Sequence, residues 1–155
     1  MSGLAPNIKV KSLKSARVAV ITSSWHEDIC GALVQGAQRA LQAAEVAEVK
    51  VIKVPGSFEL PLAAQIALTN DFDAAVVVGL VLRGETPHFD YVCQGVTQGV
   101  MNVQLKLSKP IGFGVLMCDD LEQANNRIGL PTSKEDKGYD AAIAALELLA
   151  LNVKS

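Results

Sequence analysis

The chain has 155 residues and a formal net charge of -2; half of its residues are hydrophobic and only 19% are charged. This composition excludes an intrinsically disordered chain, and 14 basic against 16 acidic residues argue against a nucleic-acid scaffold. The longest aliphatic run, Ala74–Leu82, is about half as long as a membrane-spanning helix, and the first residues do not predict a signal peptide. We therefore expect one soluble domain that covers apolar surface with copies of itself, with no nucleic-acid or membrane partner.

Four aliphatic runs predict buried strands. They lie at residues 17–23, 49–54, 74–82 and 111–116. Because helices are predicted between them, the strands need crossover connections, which make the sheet parallel and place helices on both of its faces. The sequence thus predicts an α/β fold, a three-layer α/β/α sandwich of the flavodoxin-like type with a four-stranded parallel sheet.

Each of the first three predicted helices has a start signal. Ser24 has the spacing of a capping box with Glu27, and Ser57 is the predicted cap of the second helix. The third helix is predicted to begin at Thr86-Pro87, since proline suits the first helical position. Its predicted apolar face consists of Tyr91, Val92, Val96, Val100, Val103 and Leu107.

The remaining predicted elements lie after the fourth strand and before the first. Asp119 is the predicted cap of a short helix, and a final helix is predicted from about residue 135 to residue 152. We expect residues 15–155 to form the single domain. Residues 1–14 lie outside its pattern, and their short apolar stretch from Ile8 to Val10 fits either a disordered tail or an edge strand added to another subunit's sheet.

The three cysteines and two histidines limit the chemistry of the chain. Cys30, Cys93 and Cys118 form no CxxC pair, and their odd number indicates a reducing, cytoplasmic environment. His26 and His88 are far apart in the sequence and belong to no Cys/His cluster, so we expect no metal site. No Ser-His-Asp order stands out either, which disfavours covalent hydrolase chemistry.

Side chains suited to ligand binding follow the predicted strands. In an open parallel sheet, ligands bind beyond the carboxyl ends of the strands, and the only tryptophan, Trp25, and both histidines fall there. Residues 84–86 at a helix start offer backbone N–H groups and a hydroxyl to an anion, although an ordinary glycine turn explains them too. We therefore expect the ligand site at this edge of the sheet.

Each candidate also has an ordinary structural interpretation. Trp25 fits stacking on a planar heterocycle or packing of a loop. His88 fits a general acid and base or a solvated surface residue. Glu59 fits a ligand for polyol hydroxyls or a favourable charge at a helix start. For His26, the surrounding sequence indicates no catalytic or binding role.

Several segments, in order, carry a family resemblance. They are Ser23-Ser24-Trp25, residues 54–61 (VPGSFELP), 82–93 (LRGETPHFDYVC), 110–116 (PIGFGVL), Glu122-Gln123-Ala124 leading to Arg127, and 136–138 (DKG). Together they resemble the lumazine synthase family over nearly the whole chain. The resemblance implies condensation of 5-amino-6-ribitylaminouracil with 3,4-dihydroxy-2-butanone 4-phosphate, without metal or organic cofactor. The products are 6,7-dimethyl-8-ribityllumazine, phosphate and water, in the penultimate step of riboflavin biosynthesis.

The resemblance also implies a role for each matching residue. The pyrimidine ring would be held by Trp25, Val81 and Leu82. The ribityl chain would be bound by Ser57, Phe58 and Glu59, and the phosphate by Gly84, Glu85, Thr86 and Arg127. His88 would be the catalytic acid and base, and Asp140 would pair with Arg127. Phe113 and Lys137 would reach the site from a neighbouring subunit.

The segment between Arg127 and Lys137 departs from the pattern of cage-forming members. It is longer and contains Pro131. In the family a longer loop here goes with free pentamers, so the resemblance implies a homopentamer with sites at subunit interfaces, and decamers or a cage remain open. Three competing functions stand beside the synthase: an archaeal-type riboflavin synthase, a non-catalytic flavin or lumazine carrier, and a structural shell protein. His88 and Arg127 together favour the synthase.

Overall fold

A computed structural model describes residues 3–6 and 13–151, and a four-stranded parallel sheet forms their centre. The strands are β1 (Arg17–Ser23), β2 (Glu48–Val54), β3 (Ala74–Leu82) and β4 (Ile111–Cys118), in the order β2-β1-β3-β4. Helices cover both faces, so the predicted three-layer α/β/α sandwich is confirmed. The predicted stretch from Ile8 to Val10 lies outside the described residues.

The position of each strand in the sheet follows from its sequence. β3 pairs with β1 on one side and β4 on the other, and all of its residues except Leu82 are buried. A strand covered on both faces has no polar side to alternate with, which is why it reads AAVVVGLVL. β2 is an edge strand with an alternating charged and aliphatic sequence, and most of its residues are exposed.

Two helices cover each face of the sheet. The helices α1 (Glu27–Ala43) and α5 (Lys137–Leu151) pack on one face, where Leu13 and Ala16 join the same core cluster. The helices α2 (Leu60–Thr69) and α3 (His88–Leu107) pack on the other face. A fifth, short helix, α4 (Leu121–Asn125), follows β4. No helix of residues 13–151 is long and apolar enough to span a membrane.

Two glycines allow α1 and α5 to approach closely. A Cβ atom on Gly138 would overlap the backbone carbonyl of Leu33, and one on Gly36 would overlap the carboxylate of Asp136 and lie 3.0 Å from the backbone nitrogen of Tyr139. The carboxylate of Asp136 also forms an ion pair with Arg39 of α1. The start of α5 is therefore fixed against α1, and the loop that precedes α5 is fixed with it.

The predicted helix caps at Ser24 and Ser57 are wrong. Ser24 remains tied to the sheet, because its backbone N–H and its hydroxyl both donate to the carbonyl of Val54, at 2.9 and 2.8 Å. α1 begins only after His26, which has the left-handed conformation (φ 52°). Ser57 begins a single 3-10 turn, Ser57–Glu59, and its hydroxyl is packed near Gly79, where it makes no cap hydrogen bond.

The predicted cap at Asp119 is wrong by one residue. The side chain of Asp120 accepts from the backbone N–H of Gln123 at 2.8 Å and caps α4. Asp119 is occupied elsewhere, because its carboxylate accepts from Nε of Arg83 at 2.6 Å. On α3, Tyr91 was predicted on the apolar face, but it is 68% exposed, whereas Val92, Val96, Val100 and Val103 are buried.

Candidate active site

A pocket of about 430 Å³ lies at the carboxyl edge of the sheet. Three connections contribute to it: the loop after β1, the turn after β2, and the end of β3 with the start of α3. It is lined by Trp25, His26, Pro55, Gly56, Ser57, Phe58, Glu59, Leu80, Val81, Leu82, His88 and Val92. Its volume and its mixture of apolar walls with a few polar groups are typical of a small-molecule site.

The backbone of Trp25 is fixed while its ring is free. Its N–H donates to the hydroxyl of Ser23 at 3.1 Å, and its carbonyl accepts from the thiol of Cys30 at 3.1 Å. The indole itself is 68% exposed. A Cβ atom on Gly56 would lie 3.3 Å from Cδ1 of the indole, so the turn after β2 runs directly beside the ring. The rest of the ring is available for stacking within the described chain.

Burial keeps the thiol beside Trp25 protonated. Cys30 is almost fully buried in the α1 face of the core, and this burial raises the pKa of its thiol to about 11. The protonated thiol is the form that donates to the carbonyl of Trp25. Cys30 is therefore a packing residue that also orients the loop, and its sulfur is a poor nucleophile at neutral pH.

The three residues of the turn after β2 differ in their exposure and in the direction of their side chains. Ser57 is buried, Phe58 is 51% exposed, and Glu59, the residue before α2, points its carboxylate back toward Gly56. The ring of Phe58 lies edge-on to the imidazole of His88, with 6.2 Å between the ring centroids. The ring also meets Gly95 of α3, where a Cβ atom would lie 2.8 Å from Cε1 of the ring. Phe58 thus joins the turn to the start of α3.

His88 is the first residue of α3 and projects into the pocket. Its backbone N–H lies 3.4 Å from the hydroxyl of Thr86, which belongs with Gly84 and Glu85 to the exposed β3–α3 loop. The loop itself does not line the pocket, but it leads directly into His88. An anion at this helix start would therefore lie within reach of the imidazole.

Charged side chains between α4 and α5 form a second group, here called the 127–140 cluster: Arg127, Glu135, Lys137 and Asp140. The backbone brings them together, because Ile128 and Asp136 form an antiparallel bridge that sets Arg127 beside Lys137. One oxygen of Glu135 lies 3.5 Å from Nε of Arg127, and the other lies 3.2 Å from Nζ of Lys137.

Within the described chain, Asp140 does not pair with Arg127. Asp140 lies 3.8 Å from Nζ of Lys137 instead, and burial raises the pKa of its carboxyl. Arg127 is held by Glu135 and by the carbonyl of Gln123, to which its Nη1 donates at 2.7 Å. Sequence reasoning missed Glu135. In the sequence Glu135 lies between Lys134 and Lys137. This position does not reveal the bridge between Ile128 and Asp136, which turns Glu135 toward Arg127.

The predicted site residues lie in several parts of the described chain. The pocket contains seven of them: Trp25, Ser57, Phe58, Glu59, Val81, Leu82 and His88. Within the described chain, Arg127, Lys137 and Asp140 lie in the 127–140 cluster and do not line the pocket. Phe113 lies on the edge strand β4 and is 39% exposed. His26, for which no chemistry is predicted, lines the pocket as well.

The described residues contain no group of three or more His, Cys, Asp or Glu side chains placed to hold a metal ion. The pocket offers a ligand an aromatic face at Trp25, a hydrogen-bonding carboxylate at Glu59 and an imidazole at His88. This set is suited to an uncharged heterocycle that carries hydroxyl groups.

Comparison with known proteins gives a consistent result. The family model for 6,7-dimethyl-8-ribityllumazine synthase matches residues 15–153. A protein of that name from Streptomyces coelicolor is 50% identical over 151 residues, which cover 97% of this chain and 94% of the relative. Another, from a Nocardioides species, is 53% identical over 130 residues, covering 84% of this chain and 81% of the relative.

Proposed function

Because the chain belongs to the 6,7-dimethyl-8-ribityllumazine synthase family, we propose that the pocket at the carboxyl edge of its sheet is the catalytic site. The chain is a transferase of riboflavin biosynthesis. It condenses 5-amino-6-ribitylaminouracil with 3,4-dihydroxy-2-butanone 4-phosphate and releases 6,7-dimethyl-8-ribityllumazine, phosphate and water. The observation that carries the proposal is that seven residues with an implied substrate-binding or catalytic role, from three separate stretches of sequence, line one cavity.

The uracil substrate has two binding regions in the proposed site: a ring site for its pyrimidine ring and a chain site for its ribityl chain. The exposed indole of Trp25 gives the pyrimidine ring a face to stack on, and Val81 and Leu82 add aliphatic side chains to the lining of the same pocket. Ser57, Phe58 and Glu59 lie beside that ring site, where the carboxylate of Glu59 accepts hydrogen bonds from ribityl hydroxyls. An apolar wall combined with a few polar groups orients the amine of this substrate toward His88.

The second substrate is anchored by its phosphate. The backbone N–H groups and the hydroxyl of the β3–α3 loop meet the positive end of the α3 dipole, which favours an anion there. The guanidinium of Arg127, which does not line the pocket of its own chain, offers a planar cationic fork that fits a phosphate better than a flexible ammonium does. The phosphate is therefore held beside His88.

The condensation needs several proton transfers and little other assistance. The amine attacks the ketone carbon, water leaves to give an imine, phosphate is eliminated, the ring closes, and a second water leaves. His88 lines the pocket and follows the β3–α3 loop, so we assign to it the transfer of protons to and from these groups. Much of the rate comes from holding two reactants together, because a positioned pair reacts as one molecule.

The site is completed by a second copy of the chain. Phe113 and Lys137 lie away from the pocket of their own chain, and Phe113 exposes an aromatic ring on an edge strand. Exposed apolar side chains also follow α2 and α3: Leu62, Ile66, Met101 and Leu105. These features support a homopentamer of about 82 kDa, five times the chain mass of 16.4 kDa, with closed cyclic symmetry. Light scattering after size-exclusion chromatography measures this mass, and a peak near one megadalton would contradict it.

The proposed cellular location is the cytoplasm. The three cysteines are free thiols, two of them buried, which fits a reducing compartment. Fractionation of the cells that make the protein measures this directly.

One assay tests the activity. The chain is mixed with both substrates, and formation of the lumazine is followed by its absorbance, together with release of inorganic phosphate. We expect equal amounts of the two products. Lumazine formation without the butanone phosphate, or none in its presence, contradicts the proposed reaction, and either result would favour a carrier or a different enzyme.

A further inference from the structure

We propose that Arg39 and Asp136 form a positioning pair, which holds the 127–140 cluster in the arrangement that completes the substrate site of a neighbouring subunit. The inference rests on the function proposed above, which assigns Lys137 to that site and the binding of phosphate to Arg127. Arg39 lies on α1, and within the described chain neither member of the pair lines the pocket. Each therefore acts on the site through other residues.

An antiparallel bridge holds the two cations of the cluster together. Ile128 pairs with Asp136, and the backbone N–H of Lys137 donates to the carbonyl of Arg127 at 2.9 Å. Because Arg127 lies directly across this bridge from Lys137, the two cations are placed as one unit and belong to the same neighbouring site. The position of Asp136 therefore sets the position of both cations.

The carboxylate of Asp136 is enclosed by groups from three parts of the chain. Arg39 forms an ion pair with one of its oxygens. The backbone N–H of Tyr139 donates to the other oxygen at 3.2 Å, as the first turn of a helix does to its cap. A Cβ atom on Gly36 of α1 or on Gly129 of the loop would overlap the carboxylate. The side chain of Asp136 thus fixes the loop against α1, and Arg39 balances its charge.

The ion pair acts on the position of the loop, with little effect on the stability of the fold. The side chain of Arg39 is half-exposed, and exposed ion pairs contribute little to the free energy of unfolding. The helices α1 and α5 are also held together by buried apolar side chains, among them Leu33 and Ala142. Residues 126–136 contain no helix or strand. We therefore expect loss of the ion pair to displace the cluster while the domain stays folded.

Two substitutions that change the charge in opposite directions separate positioning from an effect of charge alone. Arg39→Gln removes a positive charge near the cluster, and Asp136→Asn removes a negative charge. If only charge mattered, the first change would weaken phosphate binding and the second would strengthen it. If the pair positions the cluster, both changes weaken it. Asparagine is as good a helix cap as aspartate, so Asp136→Asn keeps the start of α5.

The chain offers a matched control in the ion pair between Arg17 and Glu48. Nε of Arg17 donates to a carboxylate oxygen of Glu48 at 2.6 Å, and both side chains are partly exposed. The two residues are the first of the paired strands β1 and β2. Arg17→Gln therefore breaks a comparable ion pair at the edge of the sheet opposite the pocket.

The experiment compares Arg39→Gln, Asp136→Asn, their double variant and Arg17→Gln in the full-length protein. Calorimetry gives the Kd of inorganic phosphate, and steady-state kinetics give kcat and the KM of each substrate. Because a displaced binding group loses much of its interaction, we expect the phosphate Kd and both KM values to rise about fivefold in each single variant. The double variant should be no worse than either single variant, since all three lose the same ion pair.

Two further readouts separate a positioning role from a merely structural one. The value of kcat, which depends on His88, should stay within about twofold. Arg39→Lys keeps the positive charge and should recover part of the loss in binding. Arg17→Gln should leave every constant unchanged.

The inference is overturned if Asp136→Asn binds phosphate more tightly, or if both single variants behave as Arg17→Gln does. A fall in kcat together with a fall in melting temperature also overturns it, because this indicates a structural role. Asp136→Asn carries the test if Arg39→Gln fails to fold, and failure of both to fold again indicates a structural role.

The proposed function and the positioning role can fail separately. If the unsubstituted chain makes no lumazine, the proposed function fails, but the phosphate Kd of the variants still tests the pair. Absence of phosphate binding by the unsubstituted chain overturns the inference.

Discussion

The carboxylate of Glu135 lies 3.5 Å from Nε of Arg127, and its side chain is only 13% exposed. The same carboxylate lies 3.2 Å from Nζ of Lys137. Arg127, the cation of the proposed phosphate site, therefore has an internal anion as partner, and an incoming phosphate has to compete with Glu135 for it.

Replacing Glu135 by Gln tests this competition. The change removes one negative charge beside Arg127 while keeping the size of the side chain. We expect the Kd of inorganic phosphate, measured by calorimetry, to fall about threefold, since less of the cationic charge is compensated. The control is Glu122→Gln on α4, which removes the same charge at an exposed position. Unchanged or weaker phosphate binding by Glu135→Gln alone would contradict the idea of competition and indicate that Glu135 positions Arg127.

Replacing His88 by Gln tests its role in proton transfer. Glutamine keeps hydrogen-bonding groups at this position but does not titrate. We expect kcat at neutral pH to fall about tenfold, at the low end for general acid and base catalysis because the condensation is intrinsically facile. The KM of each substrate should change little. Tyr91→Phe, one turn further along α3 and exposed, is the control and should keep the full rate. An unchanged kcat in His88→Gln would remove the assigned role.

Two glycines of α1 should respond oppositely to substitution by alanine. At Gly36 a Cβ atom would overlap Asp136, so we expect Gly36→Ala to lower the free energy of unfolding by about 2 kcal/mol. At Gly31 nothing lies within 4 Å, so we expect Gly31→Ala to raise it by about 0.5 to 1 kcal/mol through helix propensity. Urea unfolding at one fixed protein concentration measures both. Equal stability of the two variants would mean that α5 does not approach α1 as described.

The buried thiol of Cys30 should make the protein less stable at alkaline pH. Its pKa rises from an ordinary value near 9 to about 11 in the folded chain. The folded state therefore holds the proton more tightly, so this contribution to stability is complete below about pH 9 and is lost as the pH rises toward 11. We expect the loss to be about 2 kcal/mol.

Replacing Cys30 by Ala isolates that contribution. The variant is less stable at neutral pH because it leaves a small cavity, but its free energy of unfolding should decline less between pH 9 and pH 11. Urea unfolding of both proteins at several pH values provides the comparison. Parallel declines would show that the thiol does not titrate in this range. Mass spectrometry after treatment with iodoacetamide gives a second measure, since Cys30 should be alkylated very slowly.

The sheet was predicted well from the sequence because buried strands consist of aliphatic residues, and a run of such residues can be recognised directly. The run at β3 is aliphatic throughout, since helices cover both faces, and its bounds were predicted correctly. Helix starts were predicted less well. Ser24, Ser57 and Asp119 all have the chemistry of a cap, but each has another hydrogen-bond partner or packing neighbour that only the folded chain provides.

The candidate site also has a part that could be predicted from the sequence and a part that could not. The pocket residues could be predicted because strand ends converge in any parallel sheet, and Trp25 and His88 follow two neighbouring strands. The contacts of Glu135 with Arg127 and of Asp140 with Lys137 could not be predicted. Both depend on the bridge between Ile128 and Asp136, which joins residues of a loop with no strand pattern.

The fixed loop at the mouth of the pocket gives this protein an intrinsic optical probe. Trp25 is the only tryptophan of the chain, and its indole is 68% exposed while its backbone is held at both ends. Emission excited near 295 nm would therefore come from a single position in each subunit, next to the ring site. A heterocycle that stacks on the indole should quench it, so occupancy can be titrated without a label and separately from turnover.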